Sequence, residues 1–188
     1  MNLSKAIQEL KDQASQAGIE AKSGLGTDLF HFASTLMPVV NVDLIILNKN
    51  GQVLLSWRDD PYTGVGWHIP GCCVRFKERL EEAVQRCAVN EIGAHVTCEE
   101  QPCELFQIIC NGHREIVDQD ERAHFITLSY RCSVSEDYQI NNGAKKETDP
   151  GYLKWFDELP EVLLPGHECY RYKWDEIVNW RKQSNVEK

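Results

Sequence analysis

Residues 67–93 read WHIPGCCVRFKERLEEAVQRCAVNEIG, and this stretch decides the fold. Its first three residues predict a short strand that ends at Pro70. From Glu78 to Ile92 the apolar residues recur at helical spacing, and Gly93 is a typical helix stop. The stretch therefore predicts a strand, a loop and an amphipathic helix in close succession.

Alternating apolar and polar residues predict strands on both sides of this stretch. Val42 to Leu47 and Val53 to Trp57 flank the turn residues Asn48 to Gly51, which predicts a hairpin. The polar composition of Ser135 to Pro150 predicts a loop, which we expect to be mobile. Strands around a central helix indicate a mixed α/β fold. The remaining predicted elements are strands at Glu104 to Cys110, Phe125 to Val134 and Tyr152 to Phe156 and a closing helix at Cys169 to Lys182.

The first 38 residues predict a helical extension. Leu3 to Gln16 and Asp28 to Leu36 have helical periodicity, and the glycine-containing stretch Ser23 to Thr27 separates them. We therefore expect an N-terminal extension, residues 1–38, and a main domain, residues 39–188. The extension could pack on the core, form a dimer interface or partly cover a pocket.

Composition and charge narrow the class of function. The chain has 188 residues, 42% of them hydrophobic, which fits one globular domain with a substantial core. The net charge of -9 argues against binding nucleic acid or acidic membranes. A small phosphorylated ligand still fits, because local arginines and a divalent cation can reverse the potential in one pocket. The sequence shows neither a long apolar run nor an export signal, so we expect a cytoplasmic protein.

The eight cysteines are expected to be reduced thiols, because no export signal accompanies them. Their spacing contains no Cys-x2-Cys pair, so a structural zinc site lacks support. Adjacent Cys72 and Cys73 invite a nucleophile hypothesis, since a thiol near a helix N-terminus can have a lowered pKa. With no histidine beside them in sequence, we interpret them as incidental loop residues.

Residues 67–93 resemble the Nudix box, G-x5-E-x7-R-E-U-x-E-E-x-G-U, in which U is an aliphatic residue. The box's first glycine is Cys72 here, and two of its three helix carboxylates are Cys87 and Asn90. The resemblance implies a Nudix-type α/β/α sandwich with a mixed sheet, and a hydrolase. The kept box positions are Glu78, Arg86, Glu91 and Gly93.

The chemistry of the box explains what these losses mean. A loop that leads into a helix N-terminus presents backbone groups to phosphate, while carboxylates on one helix face hold divalent cations. Here Glu91 stands almost alone. One carboxylate cannot complete the octahedral shell of Mg²⁺, so the ion would also need the Gly71 carbonyl, another protein ligand, substrate oxygens and water. Multi-metal attack at phosphorus is therefore disfavoured.

The pattern of losses is similar to one branch of the family, the GDP-mannose mannosyl hydrolases. These enzymes use one Mg²⁺ while water attacks the anomeric carbon of the sugar. The resemblance spans Val39 to Trp174 and implies that Asp43 contacts the nucleotide. It also implies that Arg58 stabilises the departing diphosphate and that His124 lies in the substrate site. Asp43 is notable on its own, because it interrupts an apolar strand and a buried carboxylate needs a partner or a ligand.

The chain departs from this branch before the closing strand. The branch has a Gln metal ligand followed by a His general base there, whereas this chain has Glu147-Thr148-Asp149-Pro150. Asp149 or Glu147 could occupy the ligand position, and either carboxylate could accept a proton if its surroundings set a suitable pKa.

The resemblance therefore implies an Mg²⁺-dependent hydrolase of nucleoside diphosphate-sugars, with Mn²⁺ as a substitute ion and a homodimer as the assembly. Two alternatives stay open. One is pyrophosphate cleavage with Glu78 and Glu82 or downstream carboxylates recruited to extra metals, and the other is a catalytically silent module that binds a nucleotide or a protein. The implied residues are Gly71, Glu91 and Asp149 for the metal, Arg58, Arg86 and Asp149 for catalysis, and Asp43, Arg58 and His124 for the substrate.

Several of these residues also have simple structural interpretations. Arg86 could form a surface ion pair with Glu82, and Arg58 could be a solvated charge at a turn. A histidine on a strand, such as His68 or His124, is more often a satisfied core residue than a catalyst. His167 could reach a pocket, but its place before the closing helix explains it equally well.

Overall fold

The structure, a computed structural model, describes residues 2–109 and 124–179. It confirms the mixed α/β architecture. Within these ranges none of the helices is long and apolar enough to cross a bilayer. The elements are α1 (Leu3–Gln16), α2 (Thr27–Ser34), β1 (Val39–Ile46), β2 (Val53–Asp60), β3 (Gly64–His68), β4 (Gly71–Cys73), α3 (Leu80–Ile92), β5 (Thr97–Cys98), β6 (Glu104–Ile109), β7 (His124–Ser133), β8 (Leu153–Phe156), a 3-10 helix (Pro165–Tyr172) and α4 (Trp174–Val178).

The strands form two sheets. The larger sheet has the order β4-β1-β7-β5. Strand β6 also pairs with β7, on the same edge as β5. β6 pairs with the first part of β7, His124 to Ser129, and β5 pairs with Cys132 and Ser133. β1 and β7 are parallel, whereas their other pairings in this sheet are antiparallel. The smaller sheet has the order β3-β2-β8 and is antiparallel throughout. Helix α3 packs on β1 and β4, and the 3-10 helix packs on β3 and β6.

The predicted hairpin between β1 and β2 is wrong. The chain does turn after Asn48, but only one isolated bridge, Leu47 to Val53, joins the two segments. Five consecutive residues of β1, from Val42 to Ile46, are buried. Such a strand lies in the interior of a sheet, so β1 pairs with β4 and β7 while β2 joins the other sheet.

Strand β1 contributes to two separate hydrophobic clusters. Val42, Leu44 and Ile46 pack with the buried face of α3. Ile45 belongs to the second cluster, together with Tyr170 of the 3-10 helix. Asp43 and Ile45 point to the same face of the sheet, since side chains alternate along a strand. The Asp43 carboxylate therefore points away from α3, toward the second cluster.

The central helix begins two residues later than predicted and ends as predicted. The backbone N–H of Arg79 donates to Glu82 Oε2 over 2.9 Å, which caps the first turn. Gly93 ends the helix in the left-handed region, with φ of 70°. Glu91 therefore lies in the last turn of the helix.

The predicted closing helix is wrong in its first half. The chain forms the 3-10 helix Pro165–Tyr172 and then the short helix α4, while residues from 180 onward lie outside the described part of the chain. Tyr170 is fully buried and hydrogen bonded, and this tertiary contact outweighs the local α-helical pattern. The predicted downstream strands are confirmed, with Cys110 outside the described residues.

The N-terminal extension contacts the main domain through two loops. The His31 ring lies 4.3 Å from the Tyr62 ring, which follows β2, and His31 is buried. The Lys22 carbonyl accepts a hydrogen bond from Arg75 Nη1 over 3.5 Å. Helix α1, by contrast, buries none of its residues. The extension thus packs beside the loops that frame the site described below.

Candidate active site

Arg86 and Glu78 clamp the loop between β4 and α3. The guanidinium donates to both carboxylate oxygens of Glu78, over 2.6 and 2.8 Å, and to the Cys73 carbonyl over 2.8 Å. Glu78 also accepts from the Arg75 backbone N–H over 2.8 Å. The hydrogen bonds with Arg86 lower the pKa of Glu78 despite its partial burial. The structure therefore shows Arg86 holding the loop, and its role in stabilising diphosphate charge stays a prediction.

The two cysteines that replace box residues contact each other. Cys72 of β4 packs on the core cluster that contains Cys87 of α3, and its thiol donates to the Ala83 carbonyl over 3.7 Å. The Cys87 side chain is fully buried. The interaction between the two thiols lowers the pKa of Cys72 and raises that of Cys87. Position 87 is therefore a core position. The described cysteines are free thiols.

Glu91 lies between two basic side chains from the smaller sheet. Its Oε1 is 3.8 Å from Arg58 Nη2, and its Oε2 is 3.7 Å from His68 Nε2. Burial alone would raise the pKa of the Glu91 carboxyl. The interaction with His68 and the charges of Arg58 and Lys145 outweigh burial and lower that pKa. The structure thus brings together Glu91 and Arg58, two of the residues predicted from the sequence.

His68 has one ring nitrogen engaged and the other without a partner. The Nδ1–H donates to the Ser56 carbonyl over 2.7 Å, which leaves Nε2 as the unprotonated nitrogen of the neutral ring. Nε2 is buried and has no hydrogen-bond partner among the described residues. Burial lowers the pKa of the His68 imidazole, although Glu91 opposes the decrease. Nε2 lies toward Glu91, 3.7 Å from its Oε2.

Asp43 is buried against Gly71 of the neighbouring strand. A β-carbon at position 71 would overlap Asp43 Oδ1, so only glycine fits there. The Tyr170 hydroxyl donates to Asp43 Oδ2 over 2.7 Å and lies 2.6 Å from Ser129 Oγ. Burial raises the pKa of the Asp43 carboxyl to about 7, although the Tyr170 hydrogen bond and the Arg58 charge oppose the rise.

A small cavity of about 70 Å³ connects several of these groups. Asp43, Arg58, His68 and Gly71 line it, together with Tyr62 on the loop that the N-terminal extension contacts. A larger cleft of about 880 Å³ lies elsewhere, beside Cys98 and Arg131, and none of the predicted site residues lines it. We place the candidate site at the smaller cavity, because the charged and buried groups converge there.

His167 and Tyr170 are site residues that sequence reasoning did not assign. His167 lines the cavity, and its Nδ1 accepts from the Ile69 backbone N–H over 3.1 Å. Its ring centre is 5.9 Å from that of His68, and burial holds the pKa of His167 well below its ordinary value. The one sequence signal was a cluster of polar residues in an apolar closing segment.

Two predicted residues lie apart from this centre. The Asp149 carboxylate accepts from the backbone N–H of Lys146 over 2.8 Å, within its own loop. His124 stands at the start of β7, where its Nε2 lies 3.0 Å from Gln107 Nε2. Phe125, the next residue, lines the cavity, so the His124 side chain is on the opposite face of the strand. Both assignments stay predictions.

The donor set fits one divalent cation better than several. Among the residues described, no three His, Cys, Asp or Glu side chains cluster closely enough to hold a metal ion. The ladder bonds from Leu44 to Pro70 and from Val74 to Val40 place Gly71 in a non-hydrogen-bonded pair, so its carbonyl points away from β1. The assignment of Glu91 and the Gly71 carbonyl as metal ligands stays a prediction.

A strand, a loop held by Arg86 and Glu78, and a helix with Glu91 in its last turn form the arrangement expected of the Nudix box. The family model of the NUDIX domain matches residues 37–169, and the chain belongs to that family. Nudix hydrolases act on small-molecule substrates and generally use divalent cations.

Individual relatives agree with this assignment. The low-salt glycan biosynthesis protein Agl8 of Haloferax volcanii is 28% identical over 134 residues, which cover 71% of this chain and 80% of that protein. A possible asymmetric diadenosine tetraphosphate hydrolase from Jonesia denitrificans superposes with a TM-score of 0.57 at 20% identity, over 77% of this chain and 96% of that one. A UDP-X diphosphatase gives a TM-score of 0.52 at 16% identity, over 95% and 82% of the two chains. The last two similarities show the fold alone.

Proposed function

We propose that this protein is a Nudix hydrolase of nucleoside diphosphate-sugars in which water attacks the anomeric carbon of the sugar. The products are a free sugar and a nucleoside diphosphate. Glu91 and the Gly71 carbonyl would hold one Mg²⁺ or Mn²⁺ ion, which would supply positive charge to the diphosphate. The class of sugar resembles that of the GDP-mannose mannosyl hydrolases.

One observation carries this proposal: of the three carboxylate positions in the second half of the box helix, only Glu91 keeps its carboxylate, while Cys87 is buried in the core. Water attack at phosphorus in a standard box relies on several metal ions held by several carboxylates. The rival assigned extra metals to Glu78 and Glu82 or to downstream carboxylates. Both oxygens of Glu78 are engaged by Arg86, and Glu82 caps the Arg79 N–H. These contacts favour a single cation and thus a leaving diphosphate.

Arg58 has the position that stabilising a leaving diphosphate requires. Its guanidinium lies 3.8 Å from both Glu91 and Asp60, so neither contact is a close hydrogen bond. About a quarter of the side chain is exposed, and it lines the cavity. Its N–H groups are free to form charge-assisted bonds to phosphate oxygens, which strengthen as the glycosidic bond breaks.

Asp43 is the carboxylate best suited to accept the proton of the attacking water. Its pKa of about 7 lies near the operating pH, which is the condition for an efficient general base. Tyr170 orients one of its oxygens. The sequence had suggested Asp149 or Glu147 for this role. The Asp149 carboxylate binds the Lys146 backbone, and Glu147 pairs with Lys154 over 2.7 Å, so we assign the proton to Asp43.

The relative with the greatest bearing on the substrate is Agl8, whose name places it in glycan biosynthesis. Pathways that build glycans contain activated sugars, and nucleoside diphosphate-sugars carry both a sugar and a diphosphate. The name of this relative therefore supports nucleoside diphosphate-sugars as the substrate class that we propose for this chain.

A substrate panel with one substituted carboxylate tests the proposal. The purified protein is incubated with GDP-, UDP- and ADP-sugars in Mg²⁺ or in EDTA, and the products are separated by chromatography. Glu91→Gln removes the proposed ligand, whereas Glu81→Gln, on the exposed face of the same helix, is the matched control. Free sugar is expected from the wild type and from Glu81→Gln, and its release should stop in EDTA and in Glu91→Gln. Nucleotide binding without turnover of any substrate would instead support the silent module.

A further inference from the structure

The unpartnered Nε2 of His68 is the observation that the proposed function leaves unexplained. His68 is 3% exposed, and a buried polar atom without a partner costs free energy. The atom lies 3.7 Å from Glu91 Oε2, too far for a hydrogen bond between the two side chains. A bound species that contacts both atoms would satisfy the nitrogen and the carboxylate together.

We propose that His68 Nε2 is a nitrogen ligand of the divalent cation that Glu91 binds. The inference rests on the proposed function for the assignment of Glu91, and it adds a ligand outside the acidic residues of the box. It also predicts the kind of ion. Mg²⁺ prefers oxygen ligands, whereas Mn²⁺, Fe²⁺, Co²⁺ and Zn²⁺ accept an imidazole nitrogen. The site should therefore prefer one of these ions to Mg²⁺.

The contacts of His68 are those of a metal-binding histidine. Such residues usually donate their other ring N–H to a carbonyl or carboxylate, which fixes the tautomer and directs the free nitrogen at the metal. The bond of 2.7 Å from Nδ1 to the Ser56 carbonyl does this. Ser56 lies opposite His68 in the β2–β3 pairing, so the sheet itself sets the ring orientation.

The spacing between the two candidate ligand atoms also fits. Neighbouring ligands on one ion with bonds of about 2.1 Å are about 3.0–3.4 Å apart, depending on the geometry. The 3.7 Å between His68 Nε2 and Glu91 Oε2 is a few tenths of an ångström wider. A small movement of Glu91, whose side chain is 24% exposed, closes that difference.

A direct ion pair between the two side chains explains the geometry less well. Charge-assisted N–H···O bonds are about 2.7–2.9 Å long, and this separation is 3.7 Å. Arg58 already supplies a positive charge to the other oxygen of Glu91.

Pulsed electron paramagnetic resonance of bound Mn²⁺ tests the assignment without substrate or turnover. The full-length protein is loaded with Mn²⁺, and nitrogen modulation of the electron spin echo is recorded with ordinary and with ¹⁵N-labelled histidine. We expect ¹⁴N modulation that changes to the ¹⁵N pattern on labelling. This comparison needs no substitution, so it holds even if a variant of the buried ring does not fold.

Three variants then identify the histidine. His68→Gln should abolish the modulation and weaken Mn²⁺ binding by about tenfold or more. The substitution should also decrease the ratio of Mn²⁺ affinity to Mg²⁺ affinity. His167→Gln, the matched control from the same cavity, should retain the modulation, and Glu91→Gln should lose the bound ion.

The outcomes separate this inference from the proposed function. Glu91-dependent Mn²⁺ binding without nitrogen modulation would overturn the role of His68 and leave the hydrolase proposal intact. Modulation that survives in His68→Gln but disappears in His167→Gln would also overturn it. Failure of the wild type to bind Mn²⁺ would overturn both.

Discussion

Replacing Asp43 with asparagine should stabilise the protein at alkaline pH while impairing its activity. Asp43 is 3% exposed, and burial raises the pKa of its carboxyl from the ordinary 3.8 to about 7. Between these values the folded state keeps a proton that the unfolded state has lost. Stability from this group is therefore full below pH 4 and is lost as the pH rises through 7.

The pKa difference sets the size of the effect. A folded pKa of about 7 against 3.8 corresponds to ~4 kcal/mol of stability lost by pH 8. Asparagine has nearly the same shape, carries no charge and can still accept from the Tyr170 hydroxyl. Asp43→Asn should thus unfold with a free energy about 2–4 kcal/mol higher than that of the wild type at pH 8. The difference should approach zero at pH 4, where both side chains are neutral.

Urea denaturation of both proteins at pH 4, 5, 6, 7 and 8 measures the difference between their free energies of unfolding. Because the other titrating groups are the same in both proteins, their contributions largely cancel in this difference. Asp59→Asn, an exposed change on strand β2, is the control and should match the wild type at every pH. The reasoning would be refuted if Asp43→Asn were no more stable than the wild type at pH 8, or if the gap did not narrow on acidification. A more stable but inactive variant is the expected signature of a functional carboxylate.

Three further substitutions test other contacts of the site. Gly71→Ala should place a β-carbon on Asp43 Oδ1 and reduce kcat/KM by at least tenfold; wild-type kinetics would contradict the packing described for this pair. Arg86→Ala should leave Glu78 without its guanidinium partner and lower the free energy of unfolding by about 2–4 kcal/mol in urea titrations, whereas a loss of activity at unchanged stability would favour direct contact with the diphosphate. Tyr170→Phe removes the hydrogen bond that lowers the pKa of Asp43, so the acidic limb of the pH–rate profile should move to higher pH, and an unmoved limb would argue against Asp43 as the base.

The sequence was most informative where the pattern is local. The period of apolar residues and the terminal glycine defined α3 almost to the residue, because a helix is built from contacts three and four residues apart. The same spacing identified Glu91, and the interruption of an apolar strand identified Asp43. The structure places Arg58 close to both carboxylates.

Distant pairings were beyond local patterns. The turn after Asn48 predicted a hairpin, but β1 is buried by partners that come much later in the chain, as its parallel register with β7 shows. Likewise, nothing near Tyr170 in sequence indicates that its hydroxyl reaches Asp43. The unpartnered nitrogen of His68 is visible only once the β2–β3 pairing has turned its other nitrogen toward Ser56.

Hydrolysis in ¹⁸O-labelled water is the most direct test of the central claim, attack at the anomeric carbon with a single cation. The products of a turned-over nucleoside diphosphate-sugar are analysed by mass spectrometry. The proposal predicts that ¹⁸O appears in the free sugar and that the nucleoside diphosphate carries none. Label in a sugar phosphate or a nucleoside monophosphate would show attack at phosphorus and would contradict the claim.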